Sequence, residues 1–219
     1  MAIDQLLIFM AAGLLLNLTP GPDVLYIVSN AMRRGVRHGV VAALGITAGV
    51  FLHIFAAAIG VSALLLASSM AFAVLKWLGA AYLVYVGLRL LFFKGNNAID
   101  LEASCASSAS VSGKNRLKFI FLQGFWTNAL NPKVALFFLA FLPQFIGPSV
   151  HNKPLIFLLL GLLFNFNSLW VNLGWAVAAA WLSERAGLVR HAMVWLDRIA
   201  GALFITFGLK LALTDNPSS

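Results

Sequence analysis

Apolar runs of twenty residues or more, separated by short polar turns, fill most of this chain. A bilayer core about 30 Å thick takes roughly 20 apolar residues per helix. Six stretches are long enough: about 4–30, 40–66, 70–92, 118–146, 154–182 and 193–213. They predict an all-α integral membrane protein of six transmembrane helices. One link is long. Residues 94–117 read Lys94-Gly95-Asn96-Asn97, then a Ser-rich run, then Lys114 and Arg116, as expected of a flexible solvated linker. The chain is therefore expected to divide into a first three-helix half (1–93), a linker (94–117) and a second three-helix half (118–219). The first apolar run lacks a basic leader and a small-residue cleavage pattern, so it reads as a retained helix.

Composition narrows the solvent. The chain is 61% hydrophobic and 10% charged, with a mean hydropathy of +0.92. A soluble domain carries roughly 25% charged residues, so the expected solvent here is the lipid bilayer. The net charge of +8 would suggest nucleic acid on a soluble protein. Here the basic residues sit in short turns between apolar runs, so no nucleic-acid partner is expected. The single cysteine, Cys105, excludes an internal disulfide, and no Cys/His cluster has metal-ligand spacing. No nucleotide-binding motif G-x-x-x-x-G-K-[ST] occurs, so neither metal nor cofactor is expected.

Charge placement also gives orientation. The links after the first, third and fifth spans hold or adjoin Arg33, Arg34, Arg37, Arg89, Lys94, Lys114, Arg116, Lys118, Arg185, Arg190 and Arg198. The opposite side holds Lys76, Lys153 and Lys210. The positive-inside rule puts the richer side in the cytoplasm. Both termini then lie outside, which agrees with an even number of spans.

The halves resemble each other. Residues 80–91 read AAYLVYVGLRLL and residues 201–212 read GALFITFGLKLA. Leu18-Thr19-Pro20 and Leu130-Asn131-Pro132 fall about midway along the first and fourth spans. With six spans, the fourth starts on the side opposite to the first, so the halves are expected to be inverted repeats. In transporters so built, the site lies near the midplane where corresponding helices are interrupted. Proline within a helix removes a backbone hydrogen bond and clashes with the preceding turn. Thr19-Pro20-Gly21-Pro22 interrupts the first span severely, and Asn131-Pro132 interrupts the fourth more mildly.

The polar residues at depth follow. Asp23 lies about ten residues before the Arg33 cluster, or roughly 15 Å from the boundary. It is the one acid well inside a span, and an intramembrane acid is a functional candidate by default. It could also act only as a favourable anion at the restarted helix. Lys133 follows the second break, roughly 22 Å from Lys118 along the helix, and Asp23 is its natural partner. Asn165, Ser168 and Asn172 share one face of the fifth span, as a polar path or as interhelical glue. His53 extends the small-residue face of Gly45 and Gly49, as a packing residue or a proton carrier.

These residues resemble the lysine exporter/homoserine–threonine resistance (LysE/RhtB) family of amino-acid exporters. The resemblance rests on Thr19-Pro20-Gly21-Pro22-Asp23, on Leu78-Gly79-Ala80-Ala81-Tyr82-Leu83 with Gly87, and on Asn128-Ala129-Leu130-Asn131-Pro132-Lys133 followed by Phe141-Leu142-Pro143-Gln144-Phe145. The motifs come in the family's order and span nearly the whole chain. The resemblance implies six helices, a bacterial inner-membrane location and proton-coupled efflux of amino acids or derivatives. Some members carry an acid in the fifth span, where this chain has Asn165, Asn167 and Asn172.

Together these readings give a secondary transporter, not an enzyme, that exports small neutral zwitterions of the homoserine/threonine kind by proton antiport. Its expected transport residues are Thr19, Pro20, Gly21, Pro22, Asp23, Asn128, Asn131, Pro132, Lys133, Asn165 and Asn172. Asp23 and His53 are the candidates for proton coupling. The Gly45–Gly49 face could pack within one chain or join two in a homodimer. Three rivals stand beside this reading: a divalent-cation exporter on the same scaffold, a membrane-embedded enzyme and a passive channel. The first lacks enough ligands at depth, and the second lacks a nucleophile–base set.

Overall fold

The computed structural model describes residues 3–61, 114–146 and 152–181 continuously, with scattered helical positions between 70 and 92 and between 195 and 213. Among the described residues all regular secondary structure is helical. The expected third and sixth spans are thus described only in part. The linker as far as Gly113, and Arg89, Lys94, Arg185 and Arg190, lie outside the described residues.

Helix α1 (Ile3–Leu18) stops at the first proline cluster and α2 (Pro22–Arg34) restarts after it, bent by 51°. Helix α3 (Val36–Ala56) follows after Gly35, whose φ of +83° suits glycine. It runs on into a π-helical turn, Ala57–Val61. Helix α4 (Lys114–Ala129) begins before the expected linker ends, because Lys114–Leu117 already form its first turn. Helix α5 (Pro132–Leu136) restarts after Asn131 and continues through a π-helical turn (Phe137–Phe141) and a 3-10 turn (Leu142–Phe145). The bend there is 45°. Helix α6 (Lys153–Trp181) is unbroken over 29 residues.

Two helices, Val36–Gly60 and Lys153–Trp181, are long and apolar enough to cross a membrane alone. The two bent pairs pass the same test when each is taken as one span, giving up to four among the described residues. Large apolar side chains stay exposed on the outer faces, including Leu7, Leu130, Phe166, Trp170 and Trp181. Such an exterior is at ease in hydrocarbon and costly in water.

Small residues let the helices approach. A Cβ on Gly45 would collide with the Phe121 carbonyl, and one on Gly49 would lie 2.6 Å from the Phe125 carbonyl. From the other side, one on Gly124 would lie 2.9 Å from the Ala42 carbonyl. The glycine face of α3 therefore packs on α4 within the same chain, as GxxxG spacing allows. Beyond it, an aromatic cluster of Phe9, Phe137, Phe138, Phe145, Phe157 and Phe164 ties α1, α6 and the turns after α5 together.

The partly described stretches, 70–92 and 195–213, meet through glycine too. A Cβ on Gly87 would run into the Gly201 carbonyl and Ile205 at 2.6 Å. One on Gly208 would meet Val84 at 2.8 Å and the Ala80 carbonyl at 2.9 Å. In the sequence match of 80–91 with 201–212, Gly87 pairs with Gly208, Ala80 with Gly201 and Val84 with Ile205. The contact is thus made of matched residues that exchange places.

Candidate functional site

The two breaks restart their helices in the same way. Gly21 is the N-cap of α2, Pro22 its first residue and Asp23 its second. Asn131 is the N-cap of α5, Pro132 its first residue and Lys133 its second. The first helical bonds match as well: Leu25 N–H donates to the Gly21 carbonyl at 2.9 Å and Ala135 N–H to the Asn131 carbonyl at 3.1 Å. Proline suits the first position, where its missing N–H has no helical partner in any case. The structural equivalence therefore pairs Pro22 with Pro132 and Asp23 with Lys133. The sequence match had paired Pro20 with Pro132, two residues out of step.

Asp23 is buried, and its carboxylate accepts one hydrogen bond on Oδ2 from Asn128 Nδ2 at 2.8 Å. Its Oδ1 is buried without a hydrogen-bond partner. Asn128 joins Asp23 to His53, because the Asn128 carbonyl lies 2.9 Å from His53 Nε2. The His53 ring stacks on Phe138 at 6.1 Å. The amide side chain of Asn128 thus reaches the acid while its backbone is held by the imidazole.

Lys133 turns to the other break. Its ammonium donates to the carbonyls of Leu16 and Thr19, both at 3.1 Å. These sit at the end of α1, where carbonyls have no helical donor. A cation at the start of a helix is disfavoured by the dipole, whereas the end of another helix welcomes it. Thr19 is buried and its hydroxyl donates to the Leu15 carbonyl at 2.5 Å. Gly21 keeps the approach open, since a Cβ there would lie 3.1 Å from the Lys133 ammonium. Asn131 caps α5 through its side chain, which accepts from Lys133 N–H at 3.0 Å, while its Nδ2 is buried without a partner.

A cavity of about 10 Å³, lined by Leu16, Asn17, Asp23, Val24, Lys133, Val134, Ser168 and Asn172, lies between these groups. That is room for about one water molecule. The structure brings Asp23, Lys133 and Asn172 of the expected set to one cavity. Asn128, Asn131, Thr19 and Gly21 stand behind its walls as partners of Asp23 and Lys133. Pro22 and Pro132 are exposed and, like the buried Pro20, do not line the cavity. Asn165 is buried on the same face of α6 as Ser168 and Asn172 but does not line the cavity. Asn172 Nδ2 donates to Ser168 Oγ at 3.2 Å. Asn17 was not singled out from the sequence. Its only signal was a polar side chain in an apolar run, one residue before the break.

Comparison with known proteins shows the family. The sequence profile described as LysE type translocator matches residues 14–215. An uncharacterized membrane protein of Pseudomonas aeruginosa is 34% identical over 200 residues, covering 89% of this chain and 88% of the relative. The homoserine/homoserine lactone efflux protein of Salmonella typhimurium is 30% identical over 208 residues, covering 93% and 94%. The leucine efflux protein of the same organism is 26% identical over 206 residues, covering 93% and 92%. No solved structure matches the chain. The chain therefore belongs to the LysE type translocator family, and it is a membrane transporter, not an enzyme.

Proposed function

We propose that this chain exports small neutral amino acids or their derivatives from the bacterial cytoplasm by proton antiport. The observation that carries the reading is the pair of interrupted helices whose second residues, Asp23 and Lys133, line one cavity with opposite charge. A zwitterion presents one ammonium and one carboxylate, and this cavity answers each once. The homoserine and leucine efflux names of two relatives support the substrate class.

The mechanism is alternating access. Two inverted halves, residues 1–93 and 118–219, rock about the site, with the linker and both ends of the chain on opposite sides of the inner membrane. The exchanged contacts of Gly87 and Gly208 are what an axis between inverted halves would make. The cavity is too small for an amino acid in this conformation, so substrate enters only as the halves part. The opening turn of α2 has no side-chain cap and can offer its amides to the carboxylate, together with Lys133. Asp23 holds either the substrate ammonium or a proton, never both. That exclusivity makes exchange obligatory. One charge moved through 100 mV releases about 2.3 kcal/mol, enough for roughly a 50-fold gradient. His53 pairs with the backbone carbonyl of Asn128, the residue whose side chain holds Asp23, and is the second candidate for proton coupling.

The test is uptake of a panel of radiolabelled amino acids into inverted vesicles carrying a pH gradient. Gradient-dependent accumulation of one neutral class, lost in Asp23→Asn, is expected. A folded, inserted wild type that accumulates no amino acid would refute the reading.

A further inference from the structure

We infer that Asn17 is a substrate-carboxylate ligand and sets the preference for an intact amino-acid head group; this rests on the export reading above. Two polar atoms at the cavity wall are buried without a hydrogen-bond partner: the acceptor Asp23 Oδ1 and the donor Asn17 Nδ2. An unmet donor and an unmet acceptor on the wall of one cavity cost the folded protein free energy. They are complementary to a ligand that both donates and accepts, as an α-ammonium with its neighbouring carboxylate does.

The neighbours narrow the assignment. Asp23 Oδ2 is held by Asn128, which aims Oδ1 and leaves that oxygen for the ammonium. Lys133 spends donors on the carbonyls of Leu16, the residue before Asn17, and Thr19, two residues after it. The carboxylate therefore meets the Asn17 amide beside the ammonium of Lys133. Ser168 and Asn172 bond to each other on the α6 wall, and Leu16, Val24 and Val134 supply apolar lining. The side chain of the substrate belongs against these groups. A neutral amide next to Lys133 gives direction without adding charge. Hydrogen bonds to charged groups are stronger than neutral ones, so losing this one should weaken binding by about tenfold or more.

The experiment compares a transported neutral amino acid with its carboxamide, which keeps the ammonium and lacks the carboxylate. Uptake KM for the acid and inhibition by the carboxamide are measured in vesicles for wild type, Asn17→Ala and Asn17→Ser. The expected result is a KM about tenfold higher for the acid in Asn17→Ala, with carboxamide inhibition unchanged. Asn17→Ser, which keeps a short donor, recovers most of the loss. Two results would overturn the assignment: an unchanged KM in Asn17→Ala, or equal weakening of acid and carboxamide in both variants, the mark of a purely structural residue. If the wild type carried no amino acid at all, the export reading itself would fall, a result distinct from either.

Discussion

The breaks at Gly21 and Asn131 share a backbone and differ in almost everything attached to it. Both stop a helix, cap the next, and place proline first and a charge second. At the first break the charge is negative and sits where a helix start favours it. At the second it is positive, and the side chain leaves its own helix to close the end of α1. The first N-cap is a glycine with no side chain to offer, and the second is an asparagine that bonds back to the chain. One break is thus open and acidic, the other closed and basic. Each half completes its partner: Lys133 finishes α1, and Asn128 holds Asp23. Two helix starts of the same backbone form thus make one asymmetric site through the different side chains at their matching positions.

The sharpest way to break this comparison is to remove the reaching cation. Lys133→Met leaves the Leu16 and Thr19 carbonyls without their charged donor and Asp23 without its opposite charge in the cavity. Uptake should fall roughly 100-fold, and stability by about 1–3 kcal/mol. Melting in detergent alongside vesicle transport checks both; normal transport would show that the second break contributes no charge to the site.

The surroundings of the two breaks differ in stiffness. Gly45 faces a backbone carbonyl of α4, ahead of the second break, whereas Gly13 on α1 faces the Phe164 ring at 3.0 Å. Backbone cannot yield as a ring can. Gly45→Ala should cost about 1–3 kcal/mol through overpacking, and Gly13→Ala clearly less. Paired melting temperatures decide it, and equal losses would remove the distinction.

The smallest effect belongs to the caps. Asn131→Ala removes the side-chain bond to Lys133 N–H and should cost about 1 kcal/mol. No change at Gly21 can lose a comparable bond, since none exists there. A melting temperature unchanged in Asn131→Ala would mean that the second helix start is fixed by packing alone.

Much of this was legible in the chain. The runs around Gly45 and Gly161 read as spans because no polar residue interrupts them for long, and both appear as unbroken helices. The prolines announced both breaks, since a helix interior does not tolerate them. The register between the two breaks differs from the sequence match because Thr19-Pro20 resembles Asn131-Pro132, while the residue at the N-cap position of Asn131 is Gly21, which has no side chain to cap with. Capping geometry leaves no mark on a glycine. The contact of Lys133 with α1 spans more than a hundred residues of sequence, beyond any local pattern. Asn17 was illegible for another reason: a lone amide in an apolar helix looks the same whether it glues helices or faces a cavity. Only the partnerless Nδ2 separates the two.

The central claim is that Asp23 exchanges a proton for a substrate ammonium. Proton release is its most direct measure. Purified protein in weakly buffered detergent would be mixed with the amino acid identified by vesicle uptake, and the pH change followed with an indicator dye. The account predicts that substrate binding releases protons from the wild type and none from Asp23→Asn. Substrate binding without proton release, or the same release in both proteins, would contradict it.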